Sequence, residues 1–364
     1  MKGRPPANRY ETALRPLLDE YMAKQRVPGF ALVVVERLRV AYSYCFGRTD
    51  SENPRPVTNR ALFHMASVTK PFTATAVMQL VQRRKIDLDA PVARYLPHFK
   101  VQGNDASVVT VRQLLTHTSG VPDVTDYHWG DPHDDDEALE RYVGGLRDLR
   151  LEFKPGTAFR YSNIGYEILG VLVAKASGKT FDDYVHDHVL APLGMTESTL
   201  LLRDVDRRRL VLGQVLNPEG DPGASRVYPY NRSHSPSSGL ISSARDMTRW
   251  VVANLNRGEL RGRRILRSGT YDAIWKPERE VGASAGARET SVGLGWFLKR
   301  HRGNLMTTHS GGDTGFLSDM ALIPERGVAV VWMTNCDWIG SGPLNGPLTY
   351  AALDAALGLK PQPF

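Results

Sequence analysis

Cysteine is scarce in this sequence, which holds only Cys45 and Cys336 among its 364 residues. Neither has metal-ligand spacing, and each lies in or beside an apolar run, so we expect two buried free thiols and no metal site. No apolar run approaches the roughly 20 residues that cross a bilayer, and no apolar segment follows the basic start, as a signal peptide requires. We therefore expect a cytoplasmic protein without a membrane partner.

Internal repeats and low-complexity tracts are also missing, which sets aside repeat and low-complexity architectures. The formal net charge is +7, but the basic clusters at 207–209 and 261–264 stand beside turn signals and lack interleaved aromatic residues. A nucleic-acid partner is therefore not expected. The length and a hydrophobic content of 41% fit one large or two smaller globular domains.

Strand-like runs occur near both ends of the sequence, and helical periodicity dominates between them. The predicted strands are 30–35, 40–46, 295–298, 305–309, 316–323 and 328–334. The predicted helices include 10–25, 111–116, 137–149, 164–176, 181–190, 243–256 and 344–357, and a long loop is expected over 216–238.

This pattern predicts an α+β fold, in which an antiparallel sheet is flanked by terminal helices. Residues 1–62 and 240–364 would form the sheet domain from both ends of the chain. Residues 63–239 would form an inserted, mostly helical domain, and the active site would lie at the interface between the two.

Ser67 and Lys70 open a segment whose apolar residues recur at helical spacing. Pro71 is tolerated if the helix begins near Ser67, since the first helical amides have no intrahelical partner. Ser67 and Lys70 are three residues apart and would lie on one face of the helix, so the Lys70 amine can reach the Ser67 hydroxyl. Burial and the positive end of the helix disfavour a charged lysine, and a neutral one can take the serine proton. A helix cap beside a solvated lysine is the alternative.

Two further stretches fit the same chemistry. Tyr161 and Asn163 precede the helix over 164–176, and in an extended segment they point the same way. A phenol there can relay a proton, and an amide can hold a substrate carbonyl or the lysine. A helix cap at Ser162 or Asn163 beside a packed tyrosine is the alternative.

The second stretch is the strand end at His309, which is followed by Gly311 and Gly312. Paired glycines let a substrate lie against the strand edge, and a free backbone N–H there can face a developing oxyanion. A strand that simply ends in a turn is the alternative.

Three motifs with this order and these long spacings resemble the active-site motifs of the serine β-lactamase and penicillin-binding protein superfamily. They are Ser67-x-x-Lys70, Tyr161-x-Asn163 and His309-x-Gly311. The tyrosine of the second motif resembles the class C branch, which includes class C β-lactamases, D-amino-acid peptidases and family VIII esterases. Further similar stretches at 114–120, 192–195 and 238–240 extend the resemblance over roughly residues 10–357.

The resemblance implies a β-lactamase/transpeptidase-like fold and a role for each matched residue. Ser67 would be the nucleophile that forms an acyl-enzyme, while Lys70 and Tyr161 would share the base and acid duties. No separate carboxylate base for deacylation is apparent, so the activation of water would fall to Tyr161.

The remaining matched residues would bind the substrate. Asn163 would position the substrate and the lysine, His309 and Gly311 would flank the substrate, and the Gly312 and Ser67 amides would form the oxyanion hole. β-Lactamases have a lysine at the position of His309, and that lysine grips the β-lactam carboxylate. A mostly neutral histidine weakens the grip, and it resembles the esterase and peptidase relatives.

Two rival features carry less weight. Gly282-x-Ser284-x-Gly286 matches the nucleophile motif of α/β-hydrolases, but its flanks do not read as the strand and helix that the motif requires. The segment 126–136 holds His and Asp without ordered ligand spacing. We interpret it as a loop whose acids cap the helix over 137–149, with a preference for cationic substrates as a weaker hypothesis.

The sequence thus predicts a serine hydrolase that acts on a small-molecule ester, amide or peptide, without a cofactor, and that is esterase-like or peptidase-like. A β-lactamase proper is one alternative. A penicillin-binding-like protein with little or no turnover is the other. The acyl group, the leaving group and the oligomeric state are left open.

Overall fold

An antiparallel sheet organises the computed structural model, which describes residues 8–102, 109–146, 149–281, 290–339 and 346–363. The strands are β1 (Gly29–Glu36), β2 (Arg39–Gly47), β3 (Phe63–His64), β4 (Gln214–Leu216), β5 (Pro222–Ala224), β6 (Ile241–Ser242), β7 (Glu259–Leu260), β8 (Arg263–Arg264), β9 (Arg279–Glu280), β10 (Ser291–Val292), β11 (Phe297–His301), β12 (Asn304–Asp313), β13 (Phe316–Ile323) and β14 (Val328–Thr334). Eight of them form one sheet in the order β2-β1-β14-β13-β12-β11-β10-β9.

Helices cover both faces of this sheet and fill the middle of the chain. They are α1 (Arg9–Ala13), α2 (Arg15–Lys24), α3 (Lys70–Gln82), α4 (Val111–Leu115), α5 (Ala138–Gly145), α6 (Asn163–Ser177), α7 (Phe181–Val185), α8 (Ser235–Ser238), α9 (Ala244–Leu255), α10 (Thr270–Ile274) and α11 (Pro347–Ala356). Within the ranges that the structure describes, none of the helices is both long enough and apolar enough to cross a membrane. The predicted α+β fold with an antiparallel sheet is confirmed.

The sheet separates two apolar cores. On one face, α2 and α11 pack against β1 and β14, and Leu18 and Leu353 are buried with Trp332. The other face carries a larger core with α3, α6 and α9, in which the rings of Phe72 and Trp250 stack at 3.7 Å. Because both faces are covered, β1 is buried along nearly its whole length, which explains its continuous apolar run.

The first and last strands of the sheet domain are direct neighbours. β1 pairs with β14 from Phe30 opposite Thr334 to Glu36 opposite Val328. The helices from α3 to α8 lie between these two parts of the chain in sequence. The division into a sheet domain and an inserted helical domain stays a prediction.

Several predicted elements have different bounds in the structure. The helix expected over 10–25 is two helices that meet at Leu14, because Pro16 has no N–H to continue the first one. The expected loop over 216–238 contains β5 and α8. Its prolines mislead, since Pro236 occupies the first turn of α8, where no donor is needed.

Two other expectations are corrected in the same way. α5 covers Ala138–Gly145 instead of 137–149, and paired glycines stand at its end. Cys45 is a free thiol as expected, but it is exposed, whereas Cys336 is buried. Tyr44 on the sheet-edge strand β2 faces the core, so the next residue, Cys45, faces away from it.

Candidate active site

Ser67 lies in a tight turn that leads into α3. The turn is a 3₁₀ helix over Ala66–Thr69, and α3 itself begins at Lys70, three residues later than predicted. Ala66 has a left-handed backbone with φ of +45°, and the Thr69 hydroxyl donates to the Ala66 carbonyl at 2.6 Å. Pro71 still falls in the first turn of α3, as its missing N–H requires.

Lys70 is fully buried and reaches Ser67. Its Nζ lies 3.0 Å from Ser67 Oγ, 2.5 Å from Asn163 Oδ1 and 3.0 Å from the Ser237 carbonyl oxygen. Burial lowers the pKa of Lys70 to about 8, although nearby carboxylates, Glu167 above all, oppose the shift. With that pKa, about a tenth of the Lys70 amines are neutral at pH 7.

These three contacts suit a neutral amine that works as a base. A neutral lysine has two N–H groups and one lone pair. The carbonyl oxygens of Asn163 and Ser237 can accept the two N–H groups. The lone pair then faces the hydroxyl of Ser67. The proton of this hydroxyl is the one that a nucleophilic serine must lose.

Tyr161 completes the group around the serine. Its hydroxyl hydrogen-bonds to Ser67, and burial raises the pKa of the Tyr161 phenol well above its ordinary value. The ring centroid lies 4.8 Å from Lys70 Nζ, and the ring stacks on His117 at 4.3 Å. The phenol is therefore protonated at neutral pH, which makes it a proton donor and not a base of its own.

Asn163 is the first residue of α6, and Ser162 is the cap before it. The Ser162 hydroxyl accepts from the Gly165 N–H at 3.0 Å, so the predicted cap exists alongside the contact of Asn163 with Lys70. The side chain of Asn163 also donates from Nδ2 to Asp123 Oδ1 at 2.9 Å. The two readings of this stretch are thus compatible.

The end of β12 runs close past Ser67. A β-carbon at Gly311 would lie 2.8 Å from the Ser67 nitrogen and 2.5 Å from the Met65 oxygen, so only glycine fits at this position. On the neighbouring strand, the Ser318 hydroxyl donates to the same Met65 oxygen at 2.7 Å. Gly312 follows on β12 and pairs with Leu317.

His309 is buried on the same strand, with its ring 6.4 Å from the ring of Tyr161. Its Nδ1 donates to the Ser310 carbonyl at 2.7 Å. Burial, together with the nearby charge of Lys70, lowers the pKa of His309 to about 3. The imidazole is therefore neutral, and it presents no cation to a substrate carboxylate.

The sequence analysis missed several polar residues beneath these side chains. Glu167 is fully buried in α6 and accepts from Ser237 Oγ at 2.6 Å, with His234 Nδ1 at 3.2 Å. The signal for Glu167 was a lone acid inside the apolar run 164–176. His64 Nε2 lies 2.7 Å from Asp313 Oδ2, and no local pattern joins two residues so far apart.

The rival features fare differently. Ser284 and its motif lie outside the described residues. In the acidic segment, Asp135 contacts Arg141, Asp136 contacts Arg203 and Arg232, and no group of three or more potential metal-binding side chains occurs in the ranges that the structure describes. The hypothesis that these acids favour cationic substrates stays a prediction, although two of them already pair with arginines.

Comparisons with known proteins identify the family of this chain. The chain belongs to the Beta-lactamase family, whose sequence model matches residues 14–348. Penicillin-binding protein 4 of Amycolatopsis lactamdurans is 31% identical over 320 residues, which cover 87% of this chain and 83% of that protein. Protein flp of Staphylococcus aureus is 25% identical over 88% of this chain, and the match spans only 62% of its own length.

Solved structures show the same fold. The octameric penicillin-binding protein homologue from Pyrococcus abyssi superposes with a TM-score of 0.83 at 27% identity, over 96% of this chain and 77% of that one. EstCE1, a hydrolase with promiscuous acyltransferase activity, gives 0.80 at 22% identity over 96% and 98% of the two chains. A class C β-lactamase gives 0.77 at 20% identity over 97% and 98%.

Proposed function

We propose that the protein is a serine hydrolase of the class C β-lactamase-like branch that cleaves an ester or amide through an acyl-enzyme at Ser67. The observation that carries the proposal is the 3.0 Å contact between Ser67 Oγ and Lys70 Nζ, made by a buried amine whose pKa is lowered to about 8. A serine hydroxyl becomes a nucleophile only when such a base takes its proton.

Acylation begins with the attack of Ser67 Oγ on the substrate carbonyl carbon, as its proton passes to Lys70 Nζ. The backbone N–H groups of Ser67 and Gly312 stabilise the oxyanion of the tetrahedral intermediate. When the intermediate collapses, the bond to the leaving group breaks. Tyr161 hands its phenolic proton to the leaving oxygen or nitrogen, and the proton on Lys70 replaces it.

Deacylation uses the same groups in reverse order. A water molecule attacks the acyl carbonyl, its proton passes through the Tyr161 hydroxyl to Lys70, and Ser67 Oγ recovers a proton as it leaves. Because the phenol is protonated in the resting site, we assign the base to Lys70 and the relay to Tyr161. If this second half is slow, the protein instead behaves like a penicillin-binding protein with little turnover.

The substrate we favour is an ester or a peptide-like amide over a β-lactam. The neutral His309 offers no charge to the carboxylate that β-lactams carry, so binding energy from that group is missing. Asn163 and the strand edge at Gly311 are left to hold the acyl part. A β-lactamase proper remains the second candidate, because the fold and the motifs around Ser67 resemble those of β-lactamases.

The test is the release of p-nitrophenol from a short-chain acyl ester, with wild type beside Ser67→Ala and Ser284→Ala. We expect turnover in wild type and in Ser284→Ala. Ser67→Ala should lose more than the roughly 10²–10⁴-fold that removal of a general base costs. Full activity in Ser67→Ala, or loss in Ser284→Ala alone, would overturn the proposal. Intact-mass measurement of a stable acyl adduct would identify the slow-turnover alternative.

A further inference from the structure

Asp123 hydrogen-bonds to the NH₂ end of the Asn163 side chain, whereas Lys70 contacts the carbonyl end. Its Oδ1 accepts from the Asn163 backbone N–H at 2.7 Å and from the Asn163 side-chain Nδ2 at 2.9 Å. The same oxygen accepts from the Val124 N–H at 2.8 Å. One carboxylate oxygen of Asp123 therefore accepts from both the backbone N–H and the side-chain NH₂ group of Asn163.

This contact decides which end of the Asn163 amide faces Lys70. An ionised carboxylate can only accept hydrogen bonds, so the NH₂ group must turn to Asp123 and the carbonyl oxygen must turn to Lys70 Nζ, at 2.5 Å. With the amide reversed, the NH₂ group would compete with the Ser67 hydroxyl for the lysine lone pair.

We propose that Asp123 is a positioning residue, which holds the Asn163 carbonyl toward Lys70 and thereby directs the lysine lone pair at Ser67. The inference rests on the proposed function, because it assigns Lys70 the role of base. It adds a carboxylate that the three sequence motifs do not contain.

Asp123 also acts on Lys70 through its charge. Three carboxylates oppose the loss of the lysine proton, and they come from three different parts of the chain: Glu167 on α6, Asp123 on the loop after α4, and Asp313 at the end of β12. Four further ionisable groups near Lys70 in the described part of the chain are uncharged at neutral pH: Tyr161, Tyr166, His117 and His309. Removing the Asp123 charge should therefore let Lys70 lose its proton at lower pH.

The test follows the reaction of Ser67 with a fluorophosphonate, and the hydrolysis of an acyl ester, across the pH range on both sides of the Lys70 pKa. Asp123→Asn should lower kcat by up to about a hundredfold, the loss expected when a catalytic group is misplaced by about 1 Å, with KM little changed. The acid limb of the pH profile of Asp123→Asn, meaning the pH range in which the rate falls as Lys70 becomes protonated, should shift to lower pH. Asp123→Glu, which keeps the carboxylate, should recover part of the rate and the wild-type limb.

The matched control is Asp126→Asn, on the same loop, where the exposed side chain accepts from the His128 backbone N–H at 2.8 Å and lies 3.4 Å from the Nδ1 atom of the His128 ring. It should match wild type in rate and in pH profile. If Asp123→Asn is unstable, Asp123→Ser removes the same carboxylate and should show the same shift.

Failure of the inference is distinguishable from failure of the proposed function. If the fluorophosphonate labels Ser67 in wild type but Asp123→Asn keeps the wild-type rate, or loses rate without a shift in the acid limb, Asp123 has no positioning role. If Ser67 is not labelled in wild type, the proposed function and this inference both fall.

Discussion

Two basic side chains, Arg232 and Lys70, are almost completely buried, and their partners differ in charge. Arg232 is only 2% exposed and contacts the carboxylates of Asp182 and Asp136. Burial works against its charge, but these two acids outweigh it and raise the pKa of Arg232. Lys70 is equally buried, yet its hydrogen-bond partners are the neutral oxygens of a hydroxyl, an amide and a backbone carbonyl.

The difference shows that the partners of a buried basic side chain decide whether it keeps its proton. A guanidinium stays charged under all ordinary conditions, so a buried arginine must have carboxylate partners. A lysine can give up its proton when it is buried without an ion pair. Among the described residues, no carboxylate lies within ion-pair distance of Lys70, so its amine can lose the proton that the proposed role as a base requires.

The largest effect is expected when Lys70, the proposed base, is replaced by a side chain that is permanently charged, as Arg232 is. Lys70→Arg should reduce kcat/KM for an acyl ester by roughly 10²–10⁴-fold, the usual effect of losing a general base. Lys175→Arg, at an exposed lysine paired with Glu140, is the control and should match wild type. Activity of Lys70→Arg near the wild-type level would show that Lys70 is not the base.

The second prediction removes the charge of Arg232, to which we assign no part in the reaction. Arg232→Met leaves Asp182 buried without its partner, which should lower the free energy of unfolding in urea by about 3–5 kcal/mol. The folded fraction should still react with a fluorophosphonate at the wild-type rate. Arg203→Met, at a half-exposed arginine that shares Asp136, should be much milder. Equal losses in the two variants would contradict the difference in burial.

The pH profile gives a third, smaller effect. Only the neutral form of Lys70 can accept the proton of Ser67. The rate of acylation should therefore rise about tenfold for each pH unit below the Lys70 pKa of about 8 and level off above it. Stopped-flow acylation rates measure this directly. A limb near the pKa of an ordinary histidine would instead indicate another base.

The smallest effect is expected where a charge pair is exposed. Asp135 and Arg141 contact each other on the surface, with both side chains about half exposed to solvent. Asp135→Asn should leave the thermal midpoint and the ester hydrolysis rate within experimental error of wild type, because exposed ion pairs contribute little. A clear loss of activity would indicate that the acidic segment 126–136 takes part in substrate binding.

Local sequence patterns predicted the elements that carry their own signals. The hairpin of β1 and β2, the strand β13 and the helix α6 were all visible from alternation, apolar runs and a terminal glycine. α8 was missed because prolines and serines are as common in loops as in the first turn of a helix. Periodicity also could not show that a proline would divide the first helix.

Within the candidate site, the sequence supplied the residues but not their surroundings. Ser67 and Lys70 are neighbours in the chain, so their contact could be anticipated. Asp123 belongs to none of the three motifs, and only the fold brings it to Asn163. The protonation of Tyr161 and His309 depends on burial, which no local pattern encodes.

The pairing of β1 with β14 has a consequence for synthesis on the ribosome. About 300 residues separate the partners Phe30 and Thr334, and the strand end at Gly311 that passes Ser67 comes from the same late part of the chain. Contacts of such long range form slowly and only after both partners have been made. A nascent chain that has reached only α3 therefore carries Ser67 and Lys70 without the strand that runs past Ser67, and the serine acquires these surroundings only after β12 has been made.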